Sequence, residues 1–468
     1  MAAARAGGAG RTRGGRYTVN GRRRVVIASN RVPPPPAEGA PWPAGGLVSA
    51  LLPPLAAVGG LWFGWSGQAG DPDTPPQRTV TPGIDYVTID LPEQEIADFY
   101  EGFCNRTLWP HLHGLAEQAT ALHREYSTYR TANRRFALAL VPLLAADDLI
   151  WVHDYQLIPL GQELQRLGWR GPLGYFHHVP VPPREHWEAI PNHEALATAF
   201  TAYELVGTQT PRDRDQLRTL LPAGHGEHIS AHPVGIDPQR FRQFAASHGA
   251  DPLAREGDDR QILFGVDRLD YTKGIRQRLE AFERLLLRDA RWRHEARFVQ
   301  WAAPSRGNVP EYQAERAAVI EVAERINARF GEPHPVELDL TSHPPDEVAA
   351  GLEAADICVV TSLADGMNLV AKEFAAVHSA EHPGVLVLSD TCGAASQLTG
   401  ALPVRATDVG SIEEALERAL RMPWDERARR AAVLRTTVDL TTAGRWFQEF
   451  VLELERRRPG GAPTVFRW

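Results

Sequence analysis

The sequence predicts an α/β protein built as two Rossmann-like, doubly wound domains that face each other across a cleft. Three features of the 468-residue chain predict it. Short apolar runs recur that are continuous rather than alternating, the pattern of parallel strands buried on both faces. Each run ends in polar residues, at the edge where open α/β sheets bind their ligands. The runs also form two series, separated by the polar stretch Asp237 to Asp259, which Pro238 and Pro252 interrupt and which reads as the interdomain connection.

In the first series Val25 to Ala28 runs into Ser29, Asn30 and Arg31; Leu149 to Val152 into His153 and Asp154; Leu173 to Phe176 into His177 and His178; Leu205 and Val206 into Gly207 and Thr208. In the second, Ile262 to Val266 runs into Asp267 and Arg268, Phe298 and Val299 into Gln300 and Trp301, Ile357 to Val360 into Thr361 and Ser362, and Val385 to Leu388 into Ser389 and Asp390. Ser411 and Glu414 have the spacing of a capping box before a helix that puts Ile412, Ala415, Leu416, Ala419 and Leu420 on one face. Trp446, Phe450, Val451 and Leu454 recur at helical spacing and predict a final helix docked by packing. The resulting division is an Arg/Gly-rich tail over 1–23, expected to be disordered, domains over 24–240 and 258–440, and a C-terminal helix and tail over 441–468.

Basic residues number 50 and acidic residues 58, a net charge of −8. The first 24 residues hold seven arginines and no acid, so the body of the chain sets 43 basic residues against 58 acidic ones. Such a body is a poor surface for nucleic acid, which needs a basic face. No apolar run approaches the roughly 20 residues that span a bilayer, and the start lacks the apolar segment of a secretory signal. Three scattered cysteines, Cys104, Cys358 and Cys392, form neither a metal motif nor a disulfide framework, so a cytoplasmic protein is expected. Only two lysines, Lys273 and Lys372, stand beside 48 arginines. In a chain so biased, a retained lysine is either a chance survivor or the mark of a place that needs an ammonium group.

Arg268-Leu-Asp-Tyr-Thr-Lys-Gly274 follows a predicted buried strand and sets two cations five residues apart. Arginine grips phosphate with a planar fork and lysine with a point charge, a combination that suits a pyrophosphate. A surface loop with an Arg268–Asp270 pair fits the same residues. Asp365-Gly-Met-Asn-Leu-Val-Ala-Lys-Glu373 follows another strand, with Asn368 at a predicted helix start whose N–H groups favour an anion. Asp365 and Glu373 flank one ligand there, or the helix is simply capped and Glu373 solvated. Ala44-Gly45-Gly46-Leu47 predicts a flexible turn before an apolar helix. Gly60 to Gly67 gathers aromatics that either stack on sugars or fill core, and Arg306-Gly307 follows a strand where an anion clamp is well placed.

Taken in order, the stretches Ser29-Asn-Arg31, Ala44 to Leu47, Gly60 to Gly67, Leu108-Trp-Pro110, Trp151 to Tyr155, His178 to Pro182, Asp267 to Gly274, Pro304 to Gly307 and Asp365 to Glu373 resemble the trehalose-6-phosphate synthase family, retaining glycosyltransferases of the GT-B fold. The resemblance runs from about Val25 to the C-terminal helix and implies that this helix crosses back to the first domain. It implies a donor, a nucleotide-diphosphate glucose, held by the second domain: the diphosphate on Arg268 and Lys273, assisted by the backbone of Asn368, Leu369 and Val370, the ribose on Glu373, glucose hydroxyls on Asp365 and on Gly46 beside Gly45, and the 6-hydroxyl at His178. Arg268, Lys273, His178 and Asp365 would form the catalytic set. The acceptor, glucose 6-phosphate, would lie in the first domain on Arg31, Tyr100, Trp109, Asp154 and Arg306, with Arg31 and Arg306 on its phosphate. The implied product is α,α-trehalose 6-phosphate, made by front-face attack in which the leaving phosphate takes the acceptor proton, with no metal and no cofactor. Both substrates are small molecules, and a homo-oligomer is left open.

Two departures leave the donor base open between UDP, GDP and ADP: Ser362-Leu363-Ala364 stands where relatives often carry Pro-Leu-Arg, and the segment at His343-Pro344-Pro345 differs from the family's. The rival readings are a relative with another phosphorylated acceptor, such as a glucosylglycerol-phosphate synthase, a cyclitol-coupling pseudo-glycosyltransferase, and a non-catalytic sugar-phosphate-sensing homologue. The pseudo-enzyme would have a degraded Arg268–Gly274 stretch and the sensor would lose phosphate ligands, yet Arg31, Arg268, Lys273 and Arg306 are all present.

Overall fold

A computed structural model describes residues 23–35, 46–120 and 122–457, so the predicted tail up to residue 22, Gly45 and the last residues of the chain lie outside the described part. Two sheets carry the fold. The first contains β1 (Val25–Arg31), β2 (Gly60–Ala69), β3 (Gln77–Thr81), β4 (Ile84–Leu91), β5 (Leu149–His153), β6 (Leu173–Phe176), β7 (Leu205–Thr208) and β8 (Ile229–Ala231). Its order is β3-β4-β2-β1-β5-β6-β7-β8, parallel throughout except for the edge pair β3–β4. The second contains β9 (Gln261–Arg268), β10 (Ala296–Ala303), β11 (Val336–Asp339), β12 (Ile357–Val360), β13 (Val385–Ser389) and β14 (Leu402–Val404). It is wholly parallel in the order β11-β10-β9-β12-β13-β14. The continuous apolar runs are these strands because helices cover both faces: Ile27 and Ala28, Trp151 and Val152, Leu263 and Phe264 are all buried, each pair pointing to opposite sides.

One apolar cluster is continuous across both lobes, from Ile27 and Trp151 to Phe264 and Leu388, and takes in the final helix, Ala443–Arg456. That helix buries Trp446, Phe450, Val451 and Leu454. Phe450 stacks on Trp151 of β5, with ring centroids 4.1 Å apart, and Trp446 lies 4.9 Å from the same ring. The helix Ala443–Arg456 therefore packs back against the first sheet after the chain has built the second.

Two local expectations come out differently, and one open choice is decided. The stretch Asp237 to Asp259 is not a bare connection. Asp237 accepts from the Arg240 N–H at 3.0 Å and caps a helix, Pro238–His248, that packs beside Pro345–Ala354 and Leu369–Val377 of the second lobe. Pro238 does not interrupt it, since at the first helical position the missing N–H is one no helix carbonyl needs. The helix Val409–Leu420 keeps its predicted buried face, but its cap is Asp408, which accepts from the Ser411 N–H at 3.1 Å. Ser411 is already inside the helix, so no Ser411–Glu414 box forms. Of the two readings of the Gly60–Gly67 aromatics, core filling holds: Trp62, Phe63 and Trp65 are buried in β2.

The docked final helix gives a direct expectation. Phe450→Ala removes a ring packed face to face on Trp151 and lowers stability by about 3–5 kcal/mol, read from the denaturant midpoint. An unchanged midpoint would mean that the helix contributes nothing to the first lobe.

Candidate active site in the interdomain cleft

The two sheets turn their C-terminal ends towards one cavity of about 650 Å³. Polar residues gather there because each apolar run stops where its buried strand leaves the core. β1 ends in Arg31, β9 ends in Arg268, Asp154 follows β5, and His178 lies just past β6. Arg31, Gly46, Tyr100, Trp109, Asp154, His178, Arg268, Lys273, Arg306, Asp365, Asn368, Leu369, Val370 and Glu373 all line this cavity. These are the expected site residues except Gly45, which is outside the described part. The lobes approach closely. Gly366 abuts His178, where a Cβ would overlap the carbonyl oxygen, and Asn308 donates across the cleft to Glu101 at 3.0 Å.

On the wall of the second sheet, Lys273 and Asp365 form an ion pair at 2.5 Å. Burial opposes both charges, but their attraction outweighs it, so Lys273 is held above and Asp365 below its ordinary pKa. Asp365 also accepts from Asn368 Nδ2 at 3.1 Å and from the Ser362 hydroxyl at 3.2 Å. Asn368, at φ 65°, caps the helix Leu369–Val377 by accepting from the Ala371 N–H at 3.2 Å. The N–H groups of Leu369 and Val370 then have no helix carbonyl to meet and are available to an anion. Arg268 is exposed over the same space and makes no ion pair among the described residues.

The Arg268–Asp270 pair is not what forms. Asp270 is wholly buried and accepts from the Thr272 N–H at 3.0 Å, the Thr272 hydroxyl at 2.9 Å, the Tyr312 hydroxyl at 3.1 Å and Arg306 Nη1 at 3.3 Å. Burial works against its charge, but Arg306, Arg268 and Lys273 keep its pKa down at about 2. Arg306 also donates to the Tyr312 hydroxyl. Trp109, from the first lobe, gathers these cations: the Arg306 guanidinium lies 4.0 Å and that of Arg268 5.8 Å from its ring centroid. Trp65 does the same for the opposite corner, with Arg31 5.0 Å over its ring and Tyr100 at 5.4 Å. Tyr100 sits on a π-helical stretch, Ile96–Leu108, that leads directly into Trp109.

Burial pushes several other groups of the cleft towards their neutral forms. Asp154, at φ 74°, accepts from the His178 N–H at 3.1 Å. Burial raises it to about 6, against the pull of that N–H and of Arg306 and Arg268. His178 is pushed down to about 3 and His113 to about 4, both chiefly by burial. His178 is less free than expected, since its Nε2 already meets His153 Nδ1 at 2.9 Å. Burial therefore favours its neutral form. Burial without a compensating partner raises Glu373 to about 7.

Sequence reasoning missed His113, His153, Asn30, Gln209 and the helix residues Arg240, Phe241 and Phe244, all of which line the cavity. His153 and Asn30 stood at strand ends and were within reach of the same argument. Arg240, Phe241 and Phe244 were hidden in a segment read as connection. Among the described residues, no group of three or more His, Cys, Asp or Glu side chains is arranged to hold a metal ion, and no helix is long and apolar enough to cross a membrane.

A profile of glycosyltransferase family 20 matches residues 42–456. A trehalose-6-phosphate synthase of Sinorhizobium fredii is 38% identical over 455 residues, which is 92% of this chain and 98% of that protein. The crystal structure of an α,α-trehalose-phosphate synthase (UDP-forming) from Burkholderia vietnamiensis superposes with a TM-score of 0.88 at 35% identity, covering 93% of this chain and 99% of that one. The corresponding enzyme from Burkholderia xenovorans, solved in complex with glucose 6-phosphate, superposes with a TM-score of 0.86 at 35% identity, covering 92% and 99%.

Glu373 generates a pH prediction for the free protein. Its carboxyl titrates at about 7 in the fold against an ordinary 4.5, so the stability it contributes when neutral is complete below 4.5 and is lost as pH rises through about 7. Glu373→Gln keeps a neutral side chain at every pH. It melts with the wild type at about pH 4 and above it at about pH 8, by thermal denaturation without ligand. Equal melting temperatures at the higher pH would mean that Glu373 is charged and solvated.

Proposed function

The chain belongs to glycosyltransferase family 20, and on that premise we propose that it transfers glucose, with retention, from a nucleotide-diphosphate glucose to glucose 6-phosphate, giving α,α-trehalose 6-phosphate and the nucleoside diphosphate. One observation carries the reading beyond family likeness: the cleft gathers separate cationic groups for two anionic substrates in a chain whose body is acidic. Arg268 and Arg306 both lie against the Trp109 ring, with Lys273 and the free N–H groups of Leu369 and Val370 on the same cavity, while Arg31 stands at the opposite corner over Trp65. UDP-glucose is the first donor to test, because the solved relatives are UDP-forming enzymes.

In this reading residues 258–440 form the donor lobe and residues 24–240 the acceptor lobe, with the helix Ala443–Arg456 returning to the latter. Arg268 and Lys273 neutralise the charge that develops on the leaving diphosphate. Lys273 has three N–H donors and spends one on Asp365, leaving the others for the ligand. Asp365 and Gly46 hold glucose hydroxyls, and Glu373, moved towards its neutral form by burial, hydrogen-bonds the ribose. His178 meets the sugar as a neutral wall. Arg306 and Arg31 take the acceptor phosphate, while Tyr100, Trp109 and Asp154 orient its ring.

The reaction balances without a protein nucleophile. The bond from the donor anomeric carbon to the diphosphate oxygen breaks as the bond to the acceptor 1-hydroxyl oxygen forms on the same face. The hydroxyl proton passes to the departing phosphate. Lys273, Asn368 and Ser362 all donate to Asp365 Oδ2, which fixes the carboxylate and offsets its charge, so it serves as a hydroxyl-binding group and not as the nucleophile. Catalysis then rests on positioning two substrates in a closed cleft and on a preorganised cationic site for the leaving group.

The test is a panel of nucleotide-glucose donors with glucose 6-phosphate, with products read by mass spectrometry; no disaccharide phosphate from any donor would refute the reading. Lys273→Ala is expected to lower kcat by about 10²–10³-fold with the circular dichroism of the folded protein retained. Arg306→Ala is expected to raise the KM for glucose 6-phosphate by at least about tenfold, the value of one charge-assisted contact, with a smaller change in donor KM. An unchanged acceptor KM would remove Arg306 from the phosphate site.

A further inference from the structure

Lys372 is the one lysine that the site described above does not use. Its side chain is wholly buried, and its ammonium donates to the carbonyl of Val234 at 2.6 Å. Val234 lies on the crossover by which the chain leaves the first sheet after β8 and enters the second lobe. This crossover runs flush against the return crossing. Ile236 pairs with Thr442, the Ala443 N–H donates to the Ile236 carbonyl at 2.8 Å, and a Cβ on Gly235 would overlap the Thr441 carbonyl. The two crossings therefore form one two-stranded joint between the lobes.

Val234 is held from both sides of that joint. Its carbonyl is taken by Lys372, on the helix Leu369–Val377 of the second lobe. Its N–H donates to Gln209 Oε1 at 3.1 Å, just past β7 of the first lobe. The Gln209 side-chain amide lies 3.5 Å from both the ring Nδ1 and the carbonyl of His178. A continuous line thus runs from the helix that carries Glu373, through the joint, to His178 on the opposite wall. Chain composition points the same way. An arginine at position 372 would bring five N–H donors to a single carbonyl in a buried place, whereas an ammonium on a slender stem fits one acceptor. Burial with no carboxylate beside it lowers the Lys372 pKa to about 7, so a neutral amine that still donates to Val234 is accessible.

We propose that Lys372 is a positioning residue for glucosyl transfer: by holding the Val234 carbonyl it fixes the register between the helix bearing Glu373 and the wall bearing His178. The inference rests on the functional reading above, in which that helix binds the nucleoside diphosphate. Loss of the contact lets the helix shift relative to the first lobe, so the donor site loosens. The acceptor site, built mainly on the first lobe, keeps its geometry.

The experiment compares the full-length wild type with Lys372→Met, Gln209→Leu and Lys273→Ala, measuring melting temperature, UDP affinity by calorimetry, kcat, and KM for glucose 6-phosphate. Lys372→Met is expected to stay folded, to bind UDP about tenfold more weakly, within the usual range for coupled elements, and to lose kcat while its acceptor KM stays within about twofold. Gln209→Leu, which cuts the same line at its other end, is expected to lower kcat likewise. A folded Lys372→Met with wild-type UDP affinity and kcat overturns the inference. If that variant does not fold, full activity in Gln209→Leu overturns it instead. Failure of the functional reading looks different: the wild type then binds no UDP, or Lys273→Ala binds it as well as the wild type does, and the inference falls with it.

Discussion

Arg278 is the contact on which the rest of the cleft depends. It is wholly buried on the helix Ile275–Arg288. It donates to Asp267 at the end of β9, to the Val359 carbonyl and Thr361 hydroxyl at the end of β12, and to the Lys273 carbonyl, each at 2.8–2.9 Å. The Leu363 N–H adds a bond to the Thr272 carbonyl at 2.7 Å. The loop that carries Arg268 and Lys273 and the loop that carries Asp365 are thereby one rigid piece. Burying a guanidinium is tolerated only because Asp267 balances its charge and the remaining donors find acceptors; removing either partner would leave an uncompensated charge in the core. The 2.5 Å separation of Lys273 and Asp365 follows from this frame, not from their own attraction alone.

The cleft then solves a charge problem. Two anionic substrates must enter a protein with more acids than bases, and several acids of the cleft are matched by cations or moved towards neutrality. Asp270 and Asp365 are matched by cations, while Asp154 and Glu373 are raised by burial towards neutrality. The histidines His113, His153 and His178 are neutral as well. Arg268, Lys273, Arg306 and Arg31 then present positive charge to a ligand, locally focused despite the unfavourable bulk field. Trp109 and Trp65 place the arginines, offering flat faces that orient a guanidinium without consuming its hydrogen-bond donors.

Much of this was legible from residue order. Continuous apolar runs identified the central strands, since a strand buried on both faces has no polar position to reveal. The polar residues at their ends identified cavity walls, because chain direction in a parallel sheet sends every such end to the same side. Helix starts were less legible. Asp408 displaced Ser411 as a cap because both can accept from a free N–H and only the backbone path selects between them. Asp237 turned a proline-broken stretch into a helix for the same reason.

The sequence by itself determined the two sheets, the polarity of the cleft and the identity of nearly all its side chains, because those depend on local period and on the fixed geometry of parallel strands. Only the tertiary structure decided which charges meet. Asp270 serves Arg306, 36 residues away, and not its near neighbour Arg268. Lys372 reaches a backbone carbonyl 138 residues earlier in the chain. Nothing in local spacing encodes such pairings: they arise where separate elements are packed together, and desolvation then makes the choice of partner decisive. The two lysines that stood out in an arginine-rich chain thereby acquire different physical settings, one an ion pair facing the cavity, the other a buried tie across the joint between the lobes.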